Sequence, residues 1–289
     1  MRTGRAAAAG AGVLALLLLV PACGSDVDEP AAAPAAPEIS AYSVYGRHSA
    51  VRGKVDLRLA NRGPDVVQVE RFQVRSPLFA EVAPYERPSE LLADGEESIV
   101  PVPFGSPRCE VQDGAAAQAG AVLALVVRSG NQLREVTVPL VDREPGLVRA
   151  HRTACAIAAV TGTAAVELTG PWTRDPADPR RLLGRLRLGR TAPGRLAVVE
   201  VGSNILFSVR SASRRPLLVL EDGAQEASAD LVLLATRCDQ HALIESKTSF
   251  TFPVPATLAG REPTALQIRA DEEGTAALQS LLDDTCGAR

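Results

Sequence analysis

Cysteine and histidine are the residues of this sequence whose chemistry could define a site. The 289-residue chain has five cysteines and three histidines. Cys238 and His241 lie three positions apart, but a metal site needs more ligands of fitting geometry. The stretch after Cys109, residues 110–112, has no histidine. The sequence therefore predicts no metal site and no cofactor.

Nucleophilic catalysis needs a nucleophile, a base and a group that orients the base. The candidate bases are His48, His151 and His241, and the sequence contains neither a Gly-x-Ser-x-Gly elbow nor a Gly-x-x-x-x-Gly-Lys loop. Adjacent carboxylates do not by themselves provide the separated pair that flanks a cleft in glycosidases; they occur at Glu96–Glu97, Glu272–Glu273 and Asp283–Asp284. We predict surface or satisfied histidines, solvated acid pairs and a protein that is not an enzyme.

The first 22 residues are typical of a secretory leader. Arg2 and Arg5 provide the positive start, and the apolar stretch at residues 6–20 follows. A spanning helix needs about 20 apolar residues, so this stretch is short for a permanent membrane anchor.

The leader ends in Val20-Pro21-Ala22-Cys23, which resembles the lipobox of bacterial lipoproteins. The resemblance implies that residues 1–22 are a signal peptide cut before Cys23, that a diacylglyceryl group modifies the Cys23 thiol, and that the new amino terminus can be acylated as well, for example with palmitate. Two or three acyl chains give stable anchoring. We therefore expect the membrane as a partner and a location at the extracytoplasmic face of the cell membrane. An ordinary secretory leader cut before a cysteine is the alternative.

Residues 23–40 are rich in alanine and proline and predict a disordered tether. Removal of Arg2 and Arg5 with the leader leaves 29 basic against 34 acidic residues. A mildly acidic chain lacks the positive footprint that nucleic-acid binding requires. The sequence predicts an envelope protein or polymer as partner, and no nucleic acid.

Two segments of the chain align on Cys109 and Cys238. A Leu-Phe pair ends 30 residues before the first cysteine and 31 before the second, and Asp-Gly lies 15 and 16 before them. A turn glycine follows 21 residues after the first cysteine and 22 after the second, and another cysteine follows 46 and 48 residues after them. Because these landmarks keep their order and spacing, we predict an internal duplication.

The four cysteines after Cys23 allow three disulfide connectivities. The duplication favours Cys109 with Cys155 and Cys238 with Cys286, and an extracytoplasmic location permits both bonds. Each bond would join the loop before a hairpin to a helix that closes its own domain.

Alternating apolar residues predict mostly β structure. The phase slips between Val69 and Phe72, which indicates a bulge. Hairpins are predicted at residues 121–141 and 249–268, and helices at 147–158 and after Asp271. Several short strands at this spacing favour an antiparallel sandwich.

The run of residues 57–65, with Asp94-Gly95-Glu96 before another strand, resembles immunoglobulin-like modules of bacterial surface proteins. The resemblance implies Greek-key sandwiches with binding or spacing roles. We predict two tandem, duplicated β-sandwich domains at residues 41–158 and 159–289, each closed by a short helix and one disulfide.

The sequence favours a non-enzymatic binding or scaffolding module of the cell envelope. Two alternatives stay open, an extracytoplasmic enzyme with a loop-built site and a small-ligand or metal receptor. An enzyme should show a polar cleft where histidines or carboxylates converge, and a receptor a concave apolar pocket between domains. Trp172 is expected to cap the second core, with an exposed binding anchor as the alternative.

Overall fold

Strands dominate the part of the chain that the computed structural model describes, which is residues 37–46, 49, 52–112, 120–129, 132–140, 146–211, 215–245 and 249–287. The first seven strands are β1 (Ile39–Val44), β2 (Lys54–Asn61), β3 (Val67–Arg75), β4 (Tyr85–Leu91), β5 (Glu97–Pro103), β6 (Val122–Ser129) and β7 (Gln132–Pro139). The next eight are β8 (Ala164–Asp175), β9 (Asp178–Arg190), β10 (Leu196–Val198), β11 (Phe207–Ser211), β12 (Leu218–Leu220), β13 (Glu226–Ala235), β14 (Thr251–Leu258) and β15 (Thr264–Arg269). The helices are α1 (Gly146–Thr163), α2 (Gln240–Glu245) and α3 (Glu272–Cys286).

The strands form four sheets in which every ladder between named strands is antiparallel. The sheet orders are β1-β2-β5, β4-β3-β6-β7, β11-β13-β9-β8 and β12-β10-β14-β15. The predicted mostly β, antiparallel character is confirmed. So are the hairpins, which are the β6–β7 and β14–β15 pairs, and the bulge, which lies between Val69 and Arg71.

Two hydrophobic cores fill the spaces between these sheets. The first contains buried side chains from Ala41 to Ala150, and the second from Val160 to Leu282. β2 shows why the strands form, since Val55, Leu57 and Leu59 are buried while their neighbours face outward. This is the two-residue period of a strand with one buried face.

Helix α1 contributes to both cores. Its first turns bury Leu147 and Val148 in the first core, and Val160 near its end lies in the second. The predicted boundary between residues 158 and 159 therefore falls inside a helix that continues to Thr163 and leads directly into β8. Residues 37–289 form one compact unit.

Other element limits also differ from the sequence prediction. The tether was expected to reach Ser40, but β1 begins at Ile39 and pairs with β2. Strand β10 ends at Val198, because its partner β14 presents Pro253 and Pro255, which have no N–H to donate. Val199 N and Gly202 N still donate to the carbonyls of these prolines, at 2.9 and 2.7 Å.

The helix predicted after Asp271 is confirmed as α3. The Asp271 side chain accepts a hydrogen bond from Gly274 N at 2.7 Å, which makes it the N-cap. Leu278, Leu281 and Leu282 are buried on one face, and Gly287 ends the helix. No helix among the described residues combines the length and the hydropathy that a bilayer crossing requires.

Candidate functional site

A cavity of about 510 Å³ lies between α1 and the β14–β15 hairpin. Helix α1 contributes a stripe at helical spacing, formed by Arg152, Thr153, Ala156, Ala159 and Val160. The hairpin contributes Leu258, Arg261, Glu262, Pro263, Thr264, Ala265 and Gln267. The cavity thus forms where α1 passes from the first core to the second, and most of its lining is apolar or small.

The turn of the β14–β15 hairpin sets one wall of the cavity. Ala259 and Gly260 have φ angles of 48° and 73°, in the left-handed region, so the chain reverses tightly. Arg261 N donates to Leu258 O at 3.0 Å and closes the turn. This turn brings Arg261 and Glu262 to the cavity rim.

Tyr45 forms another part of the cavity wall, and α1 holds it in place. Its hydroxyl shares a hydrogen bond with the Thr153 hydroxyl at 3.0 Å. The guanidinium of Arg149 lies over the Tyr45 ring, 4.8 Å from its centroid, which is a cation–π arrangement. With Arg152 and Arg261 against Glu262, the rim carries more positive than negative charge.

The disulfides join Cys109 to Cys155 and Cys238 to Cys286. This is the pairing that the aligned landmarks favour. Because Cys238 is disulfide-bonded, it cannot act as a thiolate ligand beside His241, which is exposed at the start of α2. Among the described residues, no group of three or more histidine, cysteine and acidic side chains is placed to hold a metal ion.

His151, one of the candidate bases, lies on α1 beside the Cys109–Cys155 disulfide. His151 is buried, at 4% exposure, and its Nε2 lies 3.0 Å from Arg108 O. His48 and Cys23 lie outside the described residues. Trp172 is 8% exposed and its Nε1 donates to Asp271 at 2.8 Å, which agrees with the predicted cap of the second core.

Members of the predicted acid pairs form ion pairs or lie at the ends of a helix. Glu97 accepts a hydrogen bond from Arg58 at 3.1 Å, and Asp284 one from Arg174 at 2.7 Å. Glu272 and Glu273 form the first turn of α3, where acids are favourable. These carboxylates therefore make local contacts on strand and helix surfaces.

A charged ladder crosses the outer face of the β8-β9-β13 sheet. Arg187 donates to both oxygens of Glu226, at 2.9 and 3.0 Å, and to Glu167 at 3.3 Å. Hydrogen bonding and charge from Glu226 raise the pKa of Arg187. The same hydrogen bond lowers the pKa of Glu226.

The cavity could not be predicted from local sequence patterns, because its two walls are far apart in the chain. One signal was available in the stripe of small residues, Ala156 and Ala159, on α1. The other wall is the β14–β15 hairpin, whose shape depends on the turn at Ala259 and Gly260. Of these two residues, only the glycine indicates a turn in the sequence.

No protein-family model matches the sequence, and neither does any curated protein. Similar solved structures include a red sea bream transglutaminase, with 9% identity, TM-score 0.20, and coverage of 82% of this chain and 31% of that one. A biofilm-associated protein BSP domain has 9% identity, TM-score 0.23, and coverage of 81% and 58%. The CsuC–CsuE chaperone–tip adhesion subunit complex of Acinetobacter baumannii Csu pili has 14% identity, TM-score 0.19, and coverage of 76% and 93%.

The chain spans about a third of the length of the transglutaminase and 58% of the BSP-domain chain. TM-scores of this size carry no argument about function. The function must therefore be argued from the chain's own residues.

Proposed function

We propose that this chain is a lipoprotein of the cell envelope, anchored through acyl chains on Cys23, and that its folded part is a non-catalytic binding module. The observation that carries the proposal is the pair of disulfides, Cys109–Cys155 and Cys238–Cys286. Structural disulfides form and persist in oxidising compartments outside the cytoplasm. The lipobox-like Val20–Cys23 segment supplies a route to that compartment.

The module is proposed to consist of two tandem, duplicated sandwiches that share α1. Matching strand order supports this. In the order β4-β3-β6-β7, two strands that precede Cys109 lie beside the hairpin that follows it, and β12-β10-β14-β15 has the same arrangement around Cys238. Equivalent backbone bonds also occur, since Arg108 N donates to Leu78 O and Thr236 N to Leu206 O, each at 2.9 Å.

The binding surface is proposed to be the cavity between α1 and the β14–β15 hairpin. Its volume of about 510 Å³ lies in the range of small-ligand pockets, roughly 300–1,000 Å³. The apolar part of the lining suits a hydrocarbon body, and the two arginines at the rim, against one glutamate, suit an anionic head group. The ligand is therefore a small amphiphilic anion, which makes the protein a receptor for a component of its envelope.

The anchor is tested by expressing the chain and its Cys23→Ala variant in a bacterium that processes lipoproteins. The unsubstituted chain should partition into detergent, and its N-terminal peptide should begin at an acylated Cys23. The Cys23→Ala variant should stay in the aqueous phase. A variant with Cys109→Ser and Cys155→Ser is the matched control and should still partition into detergent. An N-terminal peptide that begins at Met1 with an unmodified Cys23 would contradict the proposal.

The cavity is tested by calorimetric titration with decanoate below its micelle concentration. Ala159→Trp fills the cavity and should abolish binding, whereas Ala158→Trp, at the preceding position of α1, which is also exposed, should not. Arg261→Ser should weaken binding several-fold, because a charge-assisted contact is lost. Equal binding of decyltrimethylammonium, or of decanoate to the Ala159→Trp variant, would refute the assignment.

A further inference from the structure

The two disulfides lie at corresponding places but differ in one neighbour. Cys155 on α1 follows His151 by four residues, and Cys286 on α3 follows Leu282 by four. In a helix this spacing puts both side chains on one face. His151 Nε2 lies 3.5 Å from Cys155 Sγ, whereas Leu282 has no polar hydrogen to offer Cys286.

The hydrogen bond of His151 fixes the position of its proton. Nε2 lies 3.0 Å from Arg108 O, and a carbonyl oxygen can only accept, so Nε2 carries the hydrogen. That N–H also reaches Cys155 Sγ. His151 Nδ1 is buried and has no hydrogen-bond partner in the described part of the chain. A buried nitrogen without a hydrogen-bond partner is energetically costly. If residue 151 only filled space in the core, leucine, which occupies the corresponding position 282, would be more favourable.

The two sulfurs of this disulfide differ in access. Cys109 is exposed, and Cys155 is half-buried beside His151. Arginine precedes Cys109 and also precedes Cys238, so the adjacent cation is common to both disulfides. Cys238 is half-buried, so two features distinguish the Cys109–Cys155 bond, the exposure of Cys109 and the histidine beside Cys155.

We propose that Cys109 is a thiol–disulfide exchange site, that Cys155 is the leaving group, and that His151 is the positioning residue that holds the departing sulfur. The thiolate of a dithiol, small or carried by a protein, attacks Cys109 Sγ. A bond forms between the two sulfurs, the Cys109–Cys155 bond breaks, and the electron pair leaves on Cys155 Sγ. The second thiol of the reagent then displaces Cys109, so the dithiol is oxidised as the protein disulfide is reduced.

The Nε2–H of His151 stabilises the Cys155 thiolate as it forms. Exchange becomes faster when the leaving thiolate is more stable. The loop that carries Cys109 stays attached after cleavage, because Arg108 N donates to Leu78 O at 2.9 Å and Ala80 N donates to Ser106 O at 2.8 Å. The first core therefore need not unfold for exchange to occur.

The test compares both disulfides in the same full chain. The native protein is treated with dilute dithiothreitol, quenched with acid, alkylated and mapped by mass spectrometry over time. The Cys109–Cys155 bond should be reduced about three- to ten-fold faster than Cys238–Cys286. A separate treatment with glutathione, a monothiol, should place the adduct on Cys109.

Substitution of His151 separates a positioning role from a structural one. His151→Leu should slow reduction of Cys109–Cys155 and leave Cys238–Cys286 unchanged, while His151→Gln, which keeps an N–H donor, should restore part of the rate. If His151 only supported the fold, its loss would loosen the loop and speed reduction. Faster reduction in His151→Leu, equal rates for the two bonds, or an adduct on Cys155 would each overturn the proposal.

Discussion

The Trp172 side chain lies in a slot between two glycines, one on the sheet that contains β8 and β9 and one on α3, and it fills the contact between them. Trp172 is on β8, Gly184 is on β9 and Gly274 is in the first turn of α3. A Cβ at Gly184 would come within 2.5 Å of the indole ring, and a Cβ at Gly274 within 2.4 Å. Trp172 Nε1 also donates to the Asp271 side chain at 2.8 Å. The ring is therefore confined on both sides and has no room to shift.

We expect Gly274→Ala to change the sign of its effect with the residue at position 172. In the unsubstituted chain, alanine should gain about 1 kcal/mol of helix propensity but cost about 1–3 kcal/mol by overpacking, a net loss of up to about 2 kcal/mol. Trp172→Ala alone should cost about 3–5 kcal/mol. In that background the new methyl enters vacated space, so Gly274→Ala should stabilise by about 1 kcal/mol.

Urea unfolding followed by far-ultraviolet circular dichroism measures all four chains, because the signal does not depend on Trp172, the only tryptophan. Gly162→Ala on α1 is the control, since its Cβ would meet nothing within 4 Å and it should not be destabilising. The reasoning is refuted if Gly274→Ala has the same sign in both backgrounds, or if it stabilises the chain that keeps Trp172.

Asn204 uses its side-chain amide in four hydrogen bonds to backbone groups at 2.8–3.1 Å, so Asn204→Ala should lower the free energy of unfolding by about 2–4 kcal/mol in urea titrations. Arg187→Gln should raise the pKa of Glu226 towards its ordinary value in an NMR titration, because the arginine hydrogen bond lowers it. The stabilisation from this carboxylate is present above the unfolded-state pKa and is lost as the pH falls through the folded-state pKa, so this acid-side loss should shrink in Arg187→Gln. Joint replacement of Cys238 and Cys286 by serine should cost about 4 kcal/mol in the chain-entropy treatment, measured by thermal unfolding.

Local patterns were sufficient for much of the fold. The alternation in β2, the phase slip after Val69 and the turn glycines predicted strands, a bulge and hairpins that the structure contains. Acids at the start of α3 and its leucine stripe predicted that helix. These features depend on backbone preference and on one buried face, both of which are visible in a short window of sequence.

Features that depend on distant partners could not be predicted in this way. β1 buries only small residues, Ala41 and Ser43, so its alternation carries a weak hydrophobic signal. His151 is buried because the loop at Arg108 packs over it, and the Trp172 slot needs a glycine from a different element on each side. The sequence shows that these residues exist, but only tertiary packing brings them together.

Helix α1 joins the proposed exchange site to the proposed binding cavity. Its first turns are fixed against β1, where a Cβ on Gly146 would come within 2.7 Å of the Ser43 backbone, and Cys155 ties its middle to the loop at Cys109. The next turn presents Ala156 and Ala159 to the cavity. Reduction of the Cys109–Cys155 bond would remove a covalent constraint from α1 at the residue just before Ala156, which lines the cavity. Helix α1 therefore carries both proposed sites on adjacent turns, with Cys155 in its middle and Ala156 and Ala159 just beyond.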